Sequence, residues 1–540
     1  MKEKYGIELS EIEVNQFLSD ILDIERQEVS LQYINAIILK VAEVIPFQNI
    51  EMTTKYFNNP LNGDDLKQNI FNGKGGICTT INPFMASVLN IIGFNVHLIA
   101  CGLKGQDKRH VAICLHIGGI NYFLDFGDAQ PYFEAIELND LAKEYHRSFR
   151  SFKISISGGD NYIIELKREN IWTPYFEFNL EPVNFSYFDQ ANRKFYSDID
   201  YGPFWKQIHF GLYVDKKLRA IRGNTFIIET GQGKFTETRV KNETQFRALL
   251  IQYFPEQYKR FDFILARNKI YELNSVKRFG FFIDDNEFND FLTLINLSEY
   301  EVTFEYLRNF IRNVTQKIPF QNINMLIRGK GKSPSVEEIK EDMLSGLGGP
   351  CGTMNPFIGS ILFKMGFDVY LVAGTMENPN DHVALILNWE NDKFYVDCGD
   401  GQPYFTPIST KNEAQYFHPF KTFRLKIIDH THFEIHFLVK NEWVKDVTVN
   451  LTQRDFSFFE NSIYRHYTDV NYGPFWEGIR FSCYPDSKIV AIRNNCFIFQ
   501  DNDENISKHI FEDFNTFKMF IKERFKSYNH KFEEAFLKIH

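Results

Sequence analysis

Ile45-Pro46-Phe47-Gln48-Asn49-Ile50 returns 273 residues later as Ile318-Pro319-Phe320-Gln321-Asn322-Ile323. Four more segments return at nearly the same offset. Gly75-Gly76-Ile77-Cys78-Thr79-Thr80-Ile81-Asn82-Pro83-Phe84 matches Gly348-Gly349-Pro350-Cys351-Gly352-Thr353-Met354-Asn355-Pro356-Phe357. Arg109-His110-Val111-Ala112 matches Asp381-His382-Val383-Ala384, and Asp125-Phe126-Gly127-Asp128 matches Asp397-Cys398-Gly399-Asp400. Late in each copy, Tyr201-Gly202-Pro203-Phe204-Trp205 matches Tyr472-Gly473-Pro474-Phe475-Trp476. A period this long is no solenoid unit. It predicts two whole globular units in tandem, 1–275 and 276–540, meeting near 274–280. A chain of 540 residues with 44% hydrophobic content is long enough to bury both cores.

Each unit reads as α+β in three parts. A helical stretch comes first, with apolar residues at helix spacing (Phe17, Ile21, Ile24, then Ile34, Ile37, Ile38). Alternating aromatic-rich strands follow from about residue 95 to 201, and a mixed tail closes on a helix.

The doubling acts as a filter on chemistry. Of seven cysteines, only Cys78 and Cys351 occupy matching positions. Cys101, Cys114, Cys398, Cys483 and Cys496 face other residue types in the opposite copy and read as small packing residues. His110 and His382 match cleanly, whereas His146 and His418 align only if a gap is slid by one position. Asn82-Pro83 and Asn355-Pro356 read as a cap and the proline of a first helical turn, with Gly93 and Gly366 as stops. Each sulfur would then lie near the positive end of a helix, which favours a thiolate. The glycines before it would let the chain turn sharply and offer N–H groups to an oxyanion. The competing reading is a buried cysteine after a loop.

His110 and Asp125 flank a hairpin predicted to turn at Gly118-Gly119; His382 and Asp397 flank one at Glu390-Asn391. In that register His110 pairs with Gly127, and Asp125 lies diagonally on the same face. Cysteine, base and orienting carboxylate are the parts a thiol nucleophile needs. The alternative is a set of ordinary strand residues repeated because the gene duplicated.

Taken together, these motifs resemble the arylamine N-acetyltransferase family. That family pairs an Ile-Pro-Phe-Glu-Asn-type segment with Arg-Gly-Gly-x-Cys-x-Glu-x-Asn, then a histidine opening a strand, then Asp-x-Gly. The resemblance covers nearly the whole of both units. It implies a helical domain, a β-barrel domain and an α/β lid in each, with a papain-like Cys-His-Asp triad between the first two. The implied catalytic residues are Cys78, His110 and Asp125, and again Cys351, His382 and Asp397. The implied reaction is ping-pong acyl transfer from acetyl-CoA or another acyl thioester to a small-molecule amine, with no bound cofactor. An acyl carrier protein is a further donor partner, as in amide synthases of natural-product pathways. A thiol hydrolase or transglutaminase-like enzyme, and a partly non-catalytic scaffold, are the competing classes.

The departures are specific. Lys74 and Leu347 stand at the family's arginine, and Thr80 and Thr353 at its glutamate. This predicts an ion pair absent from both units, with threonine filling its place. Phe47, Asp128, Phe320 and Asp400 are the substrate-binding candidates. If Asp128 and Asp400 face the pocket, the acceptor is a cationic amine; otherwise they cap backbone N–H groups at a strand end.

Net charge of −10 gives no basic footprint, which argues against nucleic acid. No apolar run has membrane-spanning length; the best, near residues 91–103, is broken by Gly93, Asn95 and His97. Met1 to Tyr5 lacks the apolar core of a signal peptide, and an odd number of scattered cysteines suits a reducing cytoplasm. No cysteine–histidine cluster has metal-ligand spacing. Gly331-Lys332-Ser333 ends like a phosphate loop, but Leu326 occupies its first glycine position, which excludes it.

Overall fold

The computed structural model describes residues 2–539 except 104, 130, 131, 142, 147–149, 169, 232, 403, 419, 420, 501–504 and 525–528; the side chains of 168, 418, 529, 532 and 539 are likewise not described. The chain divides into two compact units, Met1–Tyr271 and Glu272–His540. The division falls within a helix, Phe263–Phe279.

The centre of each unit is the cysteine helix, Cys78–Ile92 in the first and Cys351–Met365 in the second. Every residue from Cys78 to Leu89 is buried, as is every residue from Cys351 to Leu362. Such a helix needs apolar neighbours on all sides. In the first unit Phe17, Ile34, Ile37 and Leu66 cover it from the N-terminal helices, and Val111, Ile113 and Leu115 cover it from a sheet. Each fully buried side chain of this kind contributes about 1.5–3 kcal/mol. Phe291, Phe310, Val383 and Leu385 do the same in the second unit.

That sheet has eight antiparallel strands in each unit. In the first unit it runs from the edge strand Ile136–Glu137 through Ile120–Leu124, His110–Ile117 and Asn95–Leu103. It continues through Ile171–Phe178, Asn161–Arg168 and Ser151–Gly158 to Glu144–His146. The strand opening at His110 is buried on both faces. Val111, Ile113 and Leu115 meet the helices, while Ala112 and Cys114 join Phe123, Phe152 and Phe178 inside the curl of the sheet. The two end strands share no ladder among the described residues. The β-barrel implied by the resemblance is therefore a curled sheet in its hydrogen bonding.

A five-stranded antiparallel sheet with C-terminal helices completes each unit. Its first strand is Phe47–Gln48 or Phe320–Gln321. This explains the repeated Ile-Pro-Phe-Gln-Asn segment as a buckle. Phe47 and Gln48 pair with Gly211 and Phe210, while Gln48 N–H donates to the Gly76 carbonyl at 3.0 Å. Asn49 then donates to the carbonyls of Phe204 and Gln207 and accepts from His209 N–H. Asn322 makes the same three contacts, to Phe475, Gly478 and Arg480.

Both hairpins turn at the expected residues, with Ile117 opposite Ile120 and Trp389 opposite Asp392. The ladders stop at Leu124 and Val396, so His110 and Gly127 are not paired. The carboxylates sit one residue past the strand end, where the chain bends toward the cysteine helix.

Candidate active site

Both cysteine helices begin at the cysteine itself, with Ile77 and Pro350 as N-caps. The expected caps Asn82 and Asn355 are instead inside the helix, fully buried, and Gly93 and Gly366 end it in the left-handed region. Their side chains are spent on the carboxylate. Asn82 Nδ2 donates to Asp125 Oδ1 at 2.8 Å and to the Val111 carbonyl at 2.6 Å, and its Oδ1 accepts from Phe126 N–H at 2.8 Å. Asn355 repeats the set on Asp397, Val383 and Cys398. The sequence signal was present: one asparagine four residues after each cysteine. Its partner is the carboxylate and not the helix N-terminus.

His110 Nε2 lies 2.6 Å from Asp125 Oδ2, and His382 Nε2 lies 2.7 Å from Asp397 Oδ2. The cysteine is each ring's other polar neighbour, Cys78 for His110 and Cys351 for His382. Burial alone would lower the two histidine pKa values. The adjoining carboxylate and sulfur outweigh burial and hold both well above the usual range. Gly127 and Gly399 donate N–H to the carboxylate at 2.9 Å. A Cβ on either would lie 2.6 or 2.7 Å from the cysteine Cα, so only glycine lets the carboxylate loop reach the helix.

The units differ at one carboxylate donor. Tyr395 O–H donates to Asp397 Oδ2 at 2.9 Å, where the first unit carries Phe123. Burial would raise the Asp397 pKa, but His382, Asn355 and Tyr395 together hold it below the usual value.

Two smaller expectations are corrected. Lys74 is paired, with Glu51 Oε1 at 2.8 Å, and Lys55 holds Oε2 at 3.2 Å. In the second unit Arg328 pairs with Asp342 at 2.8 Å. Neither pair involves Thr80 or Thr353, which pack against Gly76 and Gly349. The Gly76 N–H is spent on the Pro46 carbonyl at 3.2 Å, so it does not serve an oxyanion. His146 is exposed and bonded to Ser151, away from the cysteine; the His418 side chain lies outside the described residues.

In the second unit a cavity of about 460 Å³ reaches Cys351 and His382, with Phe320, Asp400, Asp446 and His466 in its wall. In the first unit Phe47 is half-buried against Phe204, and Asp128 is buried beside Arg150 at 3.7 Å and Tyr175 at 3.1 Å. Arg150, Tyr175, Lys421 and Asp446 went unseen in the sequence because they come from strands distant in the chain. Among the described residues no helix is long and apolar enough to cross a membrane, and no group of three His, Cys, Asp or Glu could hold a metal ion.

His466 packs against the rings of Tyr472 and Phe475, and burial pulls its pKa down to about 4. The unfolded chain therefore binds this proton first, so stability falls as pH drops from about 6.5 toward 4. From pH 7 to 5 the expected loss from this one group is about 2 kcal/mol. His466→Phe, which matches Phe195 of the first unit, is expected to remove it. Urea unfolding at both pH values checks this, and an unchanged pH dependence in the variant would refute it.

A family model described as N-acetyltransferase matches residues 30–258 and again 303–528. The chain belongs to the N-acetyltransferase family, with two family-sized segments in tandem, and is an acetyltransferase. Solved structures similar to it include the arylamine N-acetyltransferase of Mycobacterium abscessus, at 15% identity, covering 47% of this chain and 94% of that one, TM-score 0.41. Another is a Bacillus cereus arylamine N-acetyltransferase described as having a Cys-His-Glu triad, at 22% identity, 46% and 98% coverage, TM-score 0.40. A third is the Mycobacterium marinum enzyme in complex with CoA, at 18% identity, 46% and 97% coverage, TM-score 0.41. Comparison with curated proteins gave no match.

Proposed function

We propose that each unit transfers an acetyl group from acetyl-CoA to an amine through an acyl-cysteine, in a ping-pong cycle. The observation that carries this is the carboxylate oxygen held 2.6 or 2.7 Å from each imidazole Nε2, with a cysteine as the ring's other polar neighbour. Cys78 and Cys351 are the nucleophiles, His110 and His382 the proton carriers, and Asp125 and Asp397 the orienting groups. In this reading the helical part and the curled sheet of each unit enclose a papain-like triad, and the five-stranded sheet with its helices forms the lid.

In this cycle the cysteine reacts as a thiolate with its proton carried by the imidazole. The thiolate attacks the thioester carbonyl carbon, the bond from that carbon to the CoA sulfur breaks, and the departing sulfur takes the imidazolium proton. An uncharged amine then attacks the acyl-cysteine. Its surplus proton passes to the imidazole as the cysteine sulfur leaves, restoring the starting pair.

Intact-mass measurement after mixing with acetyl-CoA tests this. The parent is expected to gain two acetyl groups, Cys78→Ala and Cys351→Ala one each, and the double variant none. Added amine is expected to discharge the adducts faster than water does. Absence of any adduct would remove the proposal, and an adduct lost only to water would favour a hydrolase.

A further inference from the structure

We propose that the second unit selects a cationic acceptor, a diamine whose ammonium is held by Asp400 and Asp446 while its uncharged amine faces Cys351. This rests on the acyl-transfer reading above and adds the substrate class of one of its two sites.

The argument is a comparison of matching walls. In the first unit one carboxylate, Asp128, meets one guanidinium, Arg150, and one phenol, Tyr175. Strand register places Asp446 where the first unit has Tyr175, with Trp443 and Trp172 three residues earlier. It places Lys421 where the first unit has Arg150. The second unit therefore sets two carboxylates, Asp400 and Asp446, against Lys421 and the His382 ring.

Lys421 lies close enough to both carboxylates to oppose their charge, but its hydrogen bond goes elsewhere. Lys421 donates to the Gln402 carbonyl and packs between the rings of Tyr404 and Phe437. Asp400 Oδ1 accepts from Gln402 N–H at 2.9 Å. Asp446 Oδ2 is shielded from solvent and accepts no hydrogen bond among the described residues. A buried carboxylate oxygen without a donor is unfavourable unless a ligand supplies one. Burial and Asp400 raise the Asp446 pKa to about 7 against the opposing pull of Lys421 and His382, and burial lowers Lys421 to about 8 against the pull of Asp400 and Asp446.

Both carboxylates line the cavity that holds Cys351 and His382. Asp381, in the same wall, stands where the first unit has Arg109, which removes a further positive charge. Three basic side chains also line the cavity. Lys445 is exposed; Arg480 donates to the Pro474 carbonyl and pairs with Glu477; Arg493 donates to the Phe481 and Ile492 carbonyls and to Ser482. Among the described residues none of the three makes a hydrogen bond or ion pair to Asp400 or Asp446, although the Asp400 charge is felt at Arg493.

The test uses the full chain and needs no acyl donor. Protection of Cys78 and Cys351 from iodoacetamide is read peptide by peptide, with 4-(aminomethyl)aniline or 4-methylaniline as protectant. The two share a ring and differ by one ammonium. Cys351 is expected to be protected by the cationic compound at about tenfold lower concentration or better, the size of one charge-assisted hydrogen bond. Cys78 is expected to show no such preference. Asp446→Tyr and the near-isosteric Asp446→Asn are both expected to abolish the preference at Cys351. Equal protection of Cys351 by the two compounds, or a preference that survives in both variants, would overturn the inference. A chain that shows the preference yet forms no acetyl adduct would overturn the proposed reaction and leave the cation site standing.

Discussion

With Cys351 replaced by alanine, so that only the first unit can turn over, Asp125→Asn is expected to slow amine acetylation by about a thousand- to ten-thousand-fold. The reason lies in the donors around the carboxylate. Asn82 Nδ2 and Gly127 N–H both donate to Asp125 Oδ1. An amide at this position must therefore turn its oxygen toward them and its NH2 toward His110 Nε2. Nε2 becomes an acceptor, and the single proton of the neutral ring is forced onto Nδ1, the nitrogen that must be free to accept one. That tautomer cannot take a proton from the acceptor amine, and the imidazolium loses its counter-charge. Single-turnover discharge of the acetyl-cysteine is the measurement, with the unfolding midpoint as a control for folding. A rate within tenfold of the parent would show that the carboxylate does not govern the ring.

Asn82→Ala is expected to destabilise the first unit by about 3–5 kcal/mol, the sum of buried polar groups left without partners. The substitution strips donors from Asp125 Oδ1 and the Val111 carbonyl, and an acceptor from Phe126 N–H, at a residue with no exposed surface. Chemical denaturation of the parent and the variant reads the difference, with the unchanged second unit as reference. Asn82→Asp is expected to be at least as damaging, because it sets a second carboxylate against Asp125. A loss of under about 1 kcal/mol for the alanine variant would mean water replaces the amide at no penalty, contrary to its complete burial.

These two residues mark where local pattern stops being informative. The fifteen-residue spacing of His110 and Asp125 is a hairpin property. Strand period and a two-residue turn fix it, and the second copy repeats it around Glu390-Asn391. Asn82 obeys no such local rule. Beside a proline it has the signature of a helix cap, and capping is the more frequent use of that pair. Its actual partner, Asp125, is 43 residues away and is brought to it only when the helix packs on the sheet.

By itself the sequence determined that the chain is doubled, that each half mixes helices with antiparallel strands, and that one cysteine, one histidine and one aspartate recur together. Short-range periodicity and exact repetition encode those features, so no packing knowledge is needed to see them. The tertiary structure alone decided which side chains surround Asp128 and Asp400. Arg150 and Tyr175 in one unit, Lys421 and Asp446 in the other, come from strands that pair far from the hairpin and meet it only through the curl of the sheet. A side chain's partner across a curved sheet depends on register and curvature summed over many residues, and no local pattern in the chain records that sum.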